Sequence, residues 1–488
     1  MKVFLGNAPW YKEGHFGVRA GSRWPHLRPD GDPYMPFPFF IGYAAALLEK
    51  NNVDVCIIDG IAERISTDAF FQKIEDYNPD LILFEVSTPS FQIDTQMIRR
   101  AREQFDGAKI VLCGPHYDMF KPEFFENSPE VDFVIEGEYE FALLELTQAL
   151  ESGGGTEKIL GLYSRDHDGK GRANGKRPLA ELTEFPWPAR QHLPMLNYHD
   201  NPTGMPEPTL QMWASRGCPF QCIFCVWPQI MYGGSKYRMR DAKDVVKEIK
   251  HCVEEYRMKS IYFDDDTFNI GRNRMFEFCD EFIKEGLNQI PWSIMARADT
   301  IDPKIWTRMR EAGLQALKFG VESGNQQVIK NSGKRLDLDR VRQSVRITRD
   351  LGIKSHLTFM FGLPGETKET VIETIEFAKE LNPDSLQFSI ATPFPGSSYY
   401  NDLDQKGYIL SKNWNDYDGN STAVIKTDSM SNANLEEALQ YAHTEWDQWV
   451  AGKTRKNGGT WTWENLKLGL CNLELALRKV RELVTIGR

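Results

Sequence analysis

Three cysteines with the spacing C-x3-C-x2-C are the residues best suited to chemistry. Cys218, Cys222 and Cys225 lie in one short stretch, Gly-Cys-Pro-Phe-Gln-Cys-Ile-Phe-Cys over 217–225. Thiolates on one loop can hold three irons of a four-iron cluster and leave the fourth iron without a protein ligand. An iron with an open position is a site for chemistry, and not only for electron storage.

Two other kinds of metal site use closely spaced cysteines. Zinc sites usually recruit four ligands, often from two C-x-x-C pairs, and no second pair follows in this chain. A ferredoxin-type cluster needs a fourth cysteine, and the other five stand singly: Cys56, Cys113, Cys252, Cys279 and Cys471. The open-iron cluster is favoured over both alternatives.

The cysteine loop resembles the cluster loop of the radical S-adenosylmethionine (SAM) enzymes. In that family the free iron is chelated by the amino and carboxylate groups of SAM. The reduced cluster then cleaves the sulfonium to give a 5′-deoxyadenosyl radical. The resemblance implies that Cys218, Cys222 and Cys225 hold a [4Fe-4S] cluster, and that an external one-electron donor of flavodoxin or ferredoxin type reduces it.

Six strand–helix units surround and follow this loop. The short apolar runs predict strands at Leu210–Ser215, Ser260–Phe263, Trp292–Ala296, Ala316–Val321, Ser355–Met360 and Ser385–Ile390. The helical stretches between them are Ala242–Tyr256, Arg274–Glu285, Pro303–Ala312, Leu338–Leu351 and Lys368–Leu381. Six parallel units predict an open, partial (β/α)6 barrel, in which reactive groups lie at the carboxyl ends of the strands.

Polar or glycine-rich clusters follow all six predicted barrel strands. After the cysteine loop they are Asp264-Asp265-Asp266, Arg297 with Asp299, Glu322-Ser323-Gly324, 362–367 and 392–397. They all fall on one rim of the barrel, which indicates a single site.

Each cluster suits a part of SAM. Glu322 could bind the ammonium or the ribose hydroxyls, Ser323 a ribose oxygen, and Arg297 the carboxylate. Asp264 and Asp265 could accept hydrogen bonds from SAM or orient the cysteine loop. Backbone at Gly362 could approach the adenine or ribose, and Phe224 could contact the adenine. Structural alternatives exist: the Asp run as a turn with a helix cap, and Arg297 paired only with Asp299 or Glu322. The family resemblance favours SAM.

The first 150 residues alternate between strands and helices. Strands are predicted at Val3–Leu5, Val53–Asp59, Leu81–Val86, Ile110–Cys113 and Phe133–Ile135. Helices are predicted near Phe39–Lys50, Asp68–Asp76, Gln92–Gln104, Lys121–Asn127 and Tyr139–Leu150. This α/β pattern predicts a doubly wound, Rossmann-like sheet of five parallel strands. Such sheets bind ligands outside the carboxyl ends of their strands.

The loops at those strand ends carry small and hydroxyl-bearing residues, which let a large flat ligand approach the backbone. The candidate contacts are Asn7, Ser87, Thr88, Gly114, Pro115, His116 and Gly137. Gly114-Pro115-His116 and 136–140 resemble strand ends of the cobalamin-binding domain that precedes the radical core in one large class of these enzymes. The resemblance implies cobalamin, held as methylcobalamin.

The chain departs from the better-known cobalamin proteins at one motif. Their D-x-H-x-x-G sequence supplies a histidine below the cobalt, and the nearest stretch here, 13–18, has Glu for the Asp and Val for the Gly. We expect no cobalt ligand from it. His116 could be a lower ligand or could hydrogen-bond its own turn. A sheet that serves as scaffold or binds substrate is the alternative to cobalamin.

The predicted domains are 1–152 (cobalamin-binding), 153–209 (connector), 210–400 (radical SAM barrel) and 401–488 (helical cap). A hairpin turn is predicted at 166–171, and tail helices at Leu435–Val450 and Trp463–Val484. The chain has 488 residues, a net charge of −11 and eight cysteines. This composition argues against nucleic acid as the main partner and indicates a reducing, cytoplasmic setting, and an exposed cluster would further indicate low oxygen. No apolar run reaches transmembrane length, and the N-terminus has no signal-peptide layout.

The two implied cofactors together predict a cobalamin-dependent radical SAM methyltransferase that acts on an unactivated sp3 carbon. The substrate is not given by the sequence. A peptide or protein is favoured, as for relatives in the resembled family that methylate a glutamine of methyl-coenzyme M reductase. The alternatives are a cobalamin-dependent radical SAM cyclase or rearrangement enzyme, a methyltransferase for a small molecule or lipid, and a non-catalytic cluster protein that senses iron or oxygen.

Overall fold

A computed structural model describes residues 1–201, 203–418 and 422–456. The strands before residue 208 are β1 (Lys2–Asn7), β2 (Tyr11–Lys12), β3 (His15–Val18), β4 (His26–Pro29), β5 (Asp54–Asp59), β6 (Leu81–Glu85), β7 (Lys109–Cys113), β8 (Phe133–Ile135), β9 (Leu162–Arg165) and β10 (Gly171–Ala173). Those after it are β11 (Thr209–Met212), β12 (Ser215–Gly217), β13 (Tyr237–Met239), β14 (Ser260–Phe263), β15 (Trp292–Arg297), β16 (Leu314–Glu322), β17 (Lys354–Phe361) and β18 (Ser385–Ile390).

The helices alternate with these strands. They are α1 (Phe39–Lys50), α2 (Thr67–Tyr77), α3 (Phe91–Gln104), α4 (Pro122–Asn127), α5 (Glu140–Ser152), α6 (Val226–Ile230), α7 (Ala242–Tyr256), α8 (Arg272–Lys284), α9 (Pro303–Glu311), α10 (Gln326–Asn331), α11 (Leu338–Asp350), α12 (Lys368–Leu381), α13 (Ser398–Gln405) and α14 (Asn432–Lys456). Side-chain caps begin several of them, for example Ser66 before α2 and Asp241 before α7.

The first sheet has the order β10-β9-β8-β7-β6-β1-β5. The five strands predicted from sequence are present and parallel, which confirms the Rossmann-like part of the fold. The sheet is wider than predicted, because the connector returns as the hairpin β9–β10 and pairs antiparallel with β8. Strand β6 is buried along its whole length, as expected where helices cover both faces.

Helix α1 is apolar on every side because it lies between the two sheets. Residues 39–48 are all buried. The ring of Phe39 stacks on Trp213, which follows β11, at 4.2 Å between centroids, and Phe40 packs on Trp227. A helix with this pattern is a core element, and here it joins the first domain to the second.

The second sheet is a six-stranded, fully parallel open barrel in chain order, β11-β14-β15-β16-β17-β18. This confirms the partial barrel. The first strand is shorter than predicted: it ends at Met212, and Ser215 belongs to a separate hairpin, β12–β13, that flanks the cysteine loop. The backbone turns away from the sheet after Met212. There the Ala214 N–H and the Ser215 hydroxyl donate hydrogen bonds to the Asp265 carboxylate and not to a neighbouring strand.

The segment between β1 and α1 forms a small three-stranded sheet, β2-β3-β4. The sequence analysis did not predict it. At the other end, α14 packs on β18 and α12, with the ring of Phe388 against His443 and Lys379 paired with Glu445. This helix contains the predicted Leu435–Val450, whereas the predicted Trp463–Val484 lies outside the described residues. The domain boundaries stay predictions. Within the described ranges, no helix is both long and apolar enough for a membrane crossing.

Candidate functional site

The cysteine loop begins at a glycine that no other residue could replace without strain. Gly217 has φ of +88°, and a Cβ on it would lie 2.1 Å from the carbonyl oxygen of Lys236, the residue just before the facing strand β13. Its N–H donates to Asp266 Oδ2 at 2.9 Å. The hairpin β12–β13 and the carboxylate after β14 therefore fix the backbone just before Cys218.

The three thiols of the loop are free and partly buried. Burial raises the pKa of each of them, that of Cys225 most strongly, so their thiolate forms need a nearby cation. Among the described residues, no three His, Cys, Asp or Glu side chains converge as ligands of a single ion must. A four-iron cluster fits, because it spreads its thiolates over separate irons.

The rest of the loop is held by backbone hydrogen bonds. Ile223 N–H donates to Ser332 O at 3.0 Å, and the Gln229 side-chain amide donates to Ile223 O and Cys225 O. The ring of Phe224 is buried, and its centroid lies 6.3 Å from that of Trp24. Its contact with adenine stays a prediction.

The three carboxylates after β14 all have partners in the chain. Asp264 accepts from Arg23 and from the Tyr262 hydroxyl. Asp265 accepts from Ala214 N–H and Ser215, and its pKa is raised to about 6 by burial. These contacts favour the alternative in which the run orients the cysteine loop, while SAM binding by Asp264 and Asp265 stays a prediction.

Arg297 is likewise engaged. Its guanidinium pairs with Asp299 at 2.8 Å, donates to Lys334 O at 3.2 Å, and lies 3.7 Å from the centroid of Phe220 inside the cysteine loop. The pairing with Asp299 is the structural alternative considered above. The role of Arg297 on the SAM carboxylate stays a prediction.

Glu322 ends β16 with φ of +73°, which is uncommon for a residue with a side chain. Its carboxylate forms a buried ion pair with Lys334 Nζ. Ser323 is fully buried, with its hydroxyl 3.1 Å from that of Thr374 and accepting from Asn325 N–H. The sequence analysis did not identify Lys334 as a site residue. Its local pattern does not indicate that it pairs with Glu322, twelve residues earlier at the end of β16.

Gly362 has φ of +98°, and both of its backbone polar groups are used. Its N–H donates to the Glu366 carboxylate, and its carbonyl accepts from the Tyr399 hydroxyl. Glu366 is fully buried without a charged partner in the described structure, and burial raises its pKa to about 8. Contact of Gly362 with adenine or ribose stays a prediction.

Strand ends of the first sheet bring together the residues assigned to cobalamin. Asn7 donates to Asp59 at 2.8 Å, and the hydroxyls of Ser87 and Ser90 lie 2.7 Å apart. The Thr88 hydroxyl lies 3.1 Å from His116 Nδ1. Asn7 and Ser87 therefore hydrogen-bond within the carboxyl edge of the first sheet. Thr88 and His116 lie on this edge, together with Gly114 and Pro115.

This edge fits a large flat ligand in two respects. His116 is fully buried, and its Nε2 has no hydrogen-bond partner within the described residues. Burial lowers the pKa of its imidazole to about 4, so the ring is neutral. Gly114 has φ of +108°, and a Cβ there would lie 2.3 Å from Val86 O. A neutral nitrogen and close backbone are what a corrin would meet.

A small cleft with a cavity volume of about 60 Å³ lies beside the end of β8. It is bordered by Gly137 and Glu138, by residues 176–180 of the connector, and by Met231 and Tyr232 after the cysteine loop. The buried Tyr232 hydroxyl has no partner in the described part of the chain. The cleft therefore joins the edge of the first sheet to the end of the cysteine loop.

Arg216, two residues before Cys218, links the two domains. Its guanidinium pairs with Glu138 at 3.2 Å and with Glu140 at 2.8 Å. It lies within about 5 Å of four ring centroids, those of Phe40, Tyr43, Phe185 and Trp213. The sequence analysis missed this contact, since the pattern around residue 138 points only to the first domain.

Comparisons with known proteins agree with this arrangement. The sequence profile of the Radical SAM superfamily matches residues 214–378, and that of the B12 binding domain matches residues 36–147. An uncharacterized methyltransferase of Pyrococcus horikoshii is 31% identical over 408 residues, which span 83% of this chain and 86% of that protein. The anaerobic magnesium-protoporphyrin IX monomethyl ester cyclase of Rubrivivax gelatinosus is 27% identical, spanning 88% of this chain and 74% of the cyclase.

Two solved structures share the fold. The radical S-adenosylmethionine methyltransferase TsrM from Kitasatospora setae, with cobalamin and a [4Fe-4S] cluster bound, matches with a TM-score of 0.65 at 18% identity and covers 83% of this chain and 75% of its own. The cobalamin-dependent S-adenosylmethionine radical enzyme OxsB matches with a TM-score of 0.69 at 18% identity, covering 91% and 67%. At this identity the likeness concerns the fold.

Proposed function

Because the chain belongs to the radical SAM enzymes that carry a cobalamin-binding domain, we propose that it is a cobalamin-dependent radical SAM methyltransferase acting on an unactivated carbon. The observation that carries the proposal is the convergence of two strand-end edges. Gly137 of the first sheet lies against the backbone of Met231, six residues after Cys225. A methyl donor on one edge and a radical source on the other would then act on one substrate.

The implied cofactors are the [4Fe-4S] cluster, SAM and methylcobalamin. When bound, they would supply a reducing electron, a primary carbon radical and a methyl group. Cys218, Cys222 and Cys225 would hold the cluster, and Glu322 with Lys334 would present a charged pair to the amino-acid part of SAM. The protein's contribution is placement and the exclusion of water and oxygen. The buried rings of Phe224 and Phe394, with Trp24 between them, provide part of that exclusion.

His116, Gly114 and Gly137 would face the corrin. His116 is held in the plane of that edge by stacking on Phe91, with centroids 4.1 Å apart, and by the Thr88 hydroxyl. Its free Nε2 can accept or donate one hydrogen bond, depending on the tautomer. His116 would hydrogen-bond a polar group of the corrin periphery or serve as a ligand that holds the cobalt.

The inner face of the barrel indicates a polar substrate. Lys318 of β16 pairs with Asp200 at 2.6 Å and lies 4.5 Å from the ring centroid of Tyr262 on β14. His356 of β17 faces the same side, and burial together with Lys318 lowers its pKa to about 3. Neighbouring positions of β16 that point the other way, 317, 319 and 321, are fully buried apolar residues. An ion pair and a neutral imidazole suit hydrogen-bonding groups better than a hydrocarbon.

We therefore propose a peptide or protein substrate, with a side chain such as the glutamine of methyl-coenzyme M reductase entering the barrel. A small polar molecule shares this chemistry, whereas an apolar lipid does not. The cyclase relative favours a second candidate, a cobalamin-dependent ring-forming reaction.

The test is anaerobic reconstitution followed by product analysis. Iron, sulfide and corrinoid are measured first, and the reduced protein is then given SAM and a candidate peptide. Methyl transfer requires both 5′-deoxyadenosine and S-adenosylhomocysteine, in equal amounts, with a mass gain of one methylene on the peptide. 5′-Deoxyadenosine without S-adenosylhomocysteine would contradict methyl transfer and support the cyclase-type reaction. Loss of SAM cleavage altogether would contradict both and revive the iron- or oxygen-sensing alternative.

A further inference from the structure

The segment between β3 and β4 connects the two edges through two arginines four residues apart. We call residues 19–24 the strap. It begins at Arg19 and ends at Arg23 and Trp24, and it lies outside the residues that match the B12 binding domain and the Radical SAM superfamily. Gly21 allows its turn, because φ there is +76° and a Cβ would lie 2.0 Å from Phe37 O.

Arg19 anchors the strap to the first sheet. Its guanidinium pairs with Asp94 at 2.7 Å and donates to Glu85 O at the end of β6 and to Ala8 O after β1. Both charged side chains of the pair are 1% exposed. A buried pair with these additional hydrogen bonds is held in one geometry, so this end of the strap cannot move without the strand ends of the first sheet.

Arg23 anchors the strap to the barrel. It pairs with Asp264 at 2.7 Å and with Asp266 at 2.9 Å, and it also donates to Asp264 O. Its planar fork is suited to joining two carboxylates that would otherwise repel each other. The side chain also lies 5.4 Å from the ring centroid of Trp227, just after the cysteine loop.

Asp266 connects Arg23 to the cysteine loop. One carboxylate oxygen accepts from Arg23, and the other accepts the N–H of Gly217 at 2.9 Å. Gly217 precedes Cys218. We propose that Arg23 is a positioning residue that fixes the cysteine loop through Asp266, and that the strap makes this hold depend on the strand ends of the first sheet. The inference needs a cluster on the cysteine loop, but no particular product.

The first measurement uses the full chain before cluster reconstitution. Hydrogen–deuterium exchange is followed in the peptides that cover 214–225. In Arg23→Gln we expect exchange at this loop to become about tenfold faster, because a charge-assisted hydrogen bond to Asp266 is lost. Arg28→Gln is the matched control: Arg28 lies on β4, just after the strap, and pairs with the nearby Asp32 at 2.5 Å. Its loop exchange should equal that of the wild type.

The second measurement uses the reconstituted protein. The EPR spectrum of the reduced cluster is recorded during titration with SAM, whose binding to the open iron changes the spectrum. Arg23→Gln should need about 10- to 100-fold more SAM for the same change, the usual cost of removing a group that orients a metal ligand. Arg23→Lys should lie in between, because a lysine keeps the charge but cannot join both carboxylates.

A double variant separates positioning from stability. Arg23→Gln leaves Asp264 buried without its cation, and this alone can lower the melting temperature or prevent folding. Arg23→Gln with Asp264→Asn removes the arginine and one of its two carboxylates, so the melting temperature should recover in part while loop exchange and the SAM titration stay impaired. If both readouts return to wild type together with the melting temperature, or if Arg23→Gln never changes them, the inference is wrong. If only methyl transfer failed, the proposed function would be contradicted, but loop exchange and the SAM titration would still test the role of Arg23.

Discussion

The two carboxyl edges that meet in this protein are built from opposite chemistry. On the first sheet the edge carries glycines, hydroxyls and a neutral imidazole at His116. On the barrel the edge carries charges in pairs, such as Arg297 with Asp299 and Glu322 with Lys334. In both sheets this edge is where parallel strands are expected to bind a ligand, yet the side chains of the first are mainly small or neutral and those of the second are charged.

This difference teaches what each edge can recognise. A large, mostly neutral ring system gains from close backbone and apolar contact, and a charge there would be desolvated without a partner. The amino-acid part of SAM is a compact zwitterion, which needs fixed charges already held in place. Substitutions should therefore separate the two edges: changes at one should leave the ligand of the other in place.

The largest separation should come from the cysteines. Replacing Cys218, Cys222 or Cys225 by alanine should abolish the cluster and all SAM cleavage, because one of the three irons held by cysteine then loses its protein ligand. Iron, sulfide and 5′-deoxyadenosine report the loss, while corrinoid content should match the wild type. Cys56→Ser, at a half-buried cysteine of β5, is the control. If corrinoid were lost with the iron, the edges would not be independent.

Breaking the Glu322–Lys334 pair should have the next largest effect. Lys334→Met leaves a carboxylate buried without a partner, which costs about 3–5 kcal/mol of unfolding free energy. Denaturant unfolding measures it. Glu322→Gln with Lys334→Met should restore most of the stability, because neither charge remains. SAM affinity should stay low in the double variant, and full recovery of SAM binding would remove Glu322 from the SAM site.

Gly114→Ala should damage only the first edge. The positive φ and the approach of Val86 O together cost about 1–3 kcal/mol, and the displaced backbone should prevent corrinoid binding. Corrinoid content after reconstitution and the melting temperature are the measurements. Gly107→Ala, just before β7, is the matched control, since a Cβ there meets nothing within 4 Å. Loss of iron in Gly114→Ala would contradict the separation.

The effect of pH is the smallest per unit of the change made. Glu366 has a pKa of about 8 in the folded protein and an ordinary value of 4.5, so the folded state keeps a proton that the unfolded chain loses over this interval. Stability should therefore fall as pH rises from about 4.5 to about 8, by at most about 1.4 kcal/mol per pH unit from this group.

Glu366→Gln should flatten that part of the pH profile of the unfolding free energy. Glu369→Gln, an exposed position of α12, should not change it. An unchanged slope in Glu366→Gln would mean that the carboxyl is ionised in the folded protein. Other buried carboxyls with raised pKa values, Asp59, Glu85 and Asp94, add slopes of the same sign in both proteins, so only the difference between variants is used.

Sequence reasoning reached the regular parts of the molecule. Helices α1, α7 and α12 have their predicted bounds; for α7 and α12 the apolar spacing and the caps are local signals, and for α1 the signal is a continuous apolar run. The hairpin turn at 166–171 is also present, between β9 and β10. The pairing of β9 with β8 could not be predicted from the sequence, since the pattern of a short polar strand does not indicate which strand it pairs with.

The contacts that hold the site were the hardest to foresee. Arg23 and Asp264 are separated by 241 positions, and Arg216 and Glu138 by 78. Periodicity and motif spacing describe neighbours in the chain, whereas these pairs arise only when the two sheets meet. For the same reason the side chains assigned to SAM were named from the rim alone, without knowing that Asp265 and Arg297 already have partners.

The short stretch after α13 has a consequence for access to the first edge. Trp414 lies edge-on to His116 at 5.7 Å, and Asn413 and Asn415 hydrogen-bond Gln92 beside it. The imidazole beneath this ring is fully buried. A corrin that contacts His116 from the side of Trp414 would therefore have to displace that ring, against the hydrogen bonds that hold the neighbouring asparagines.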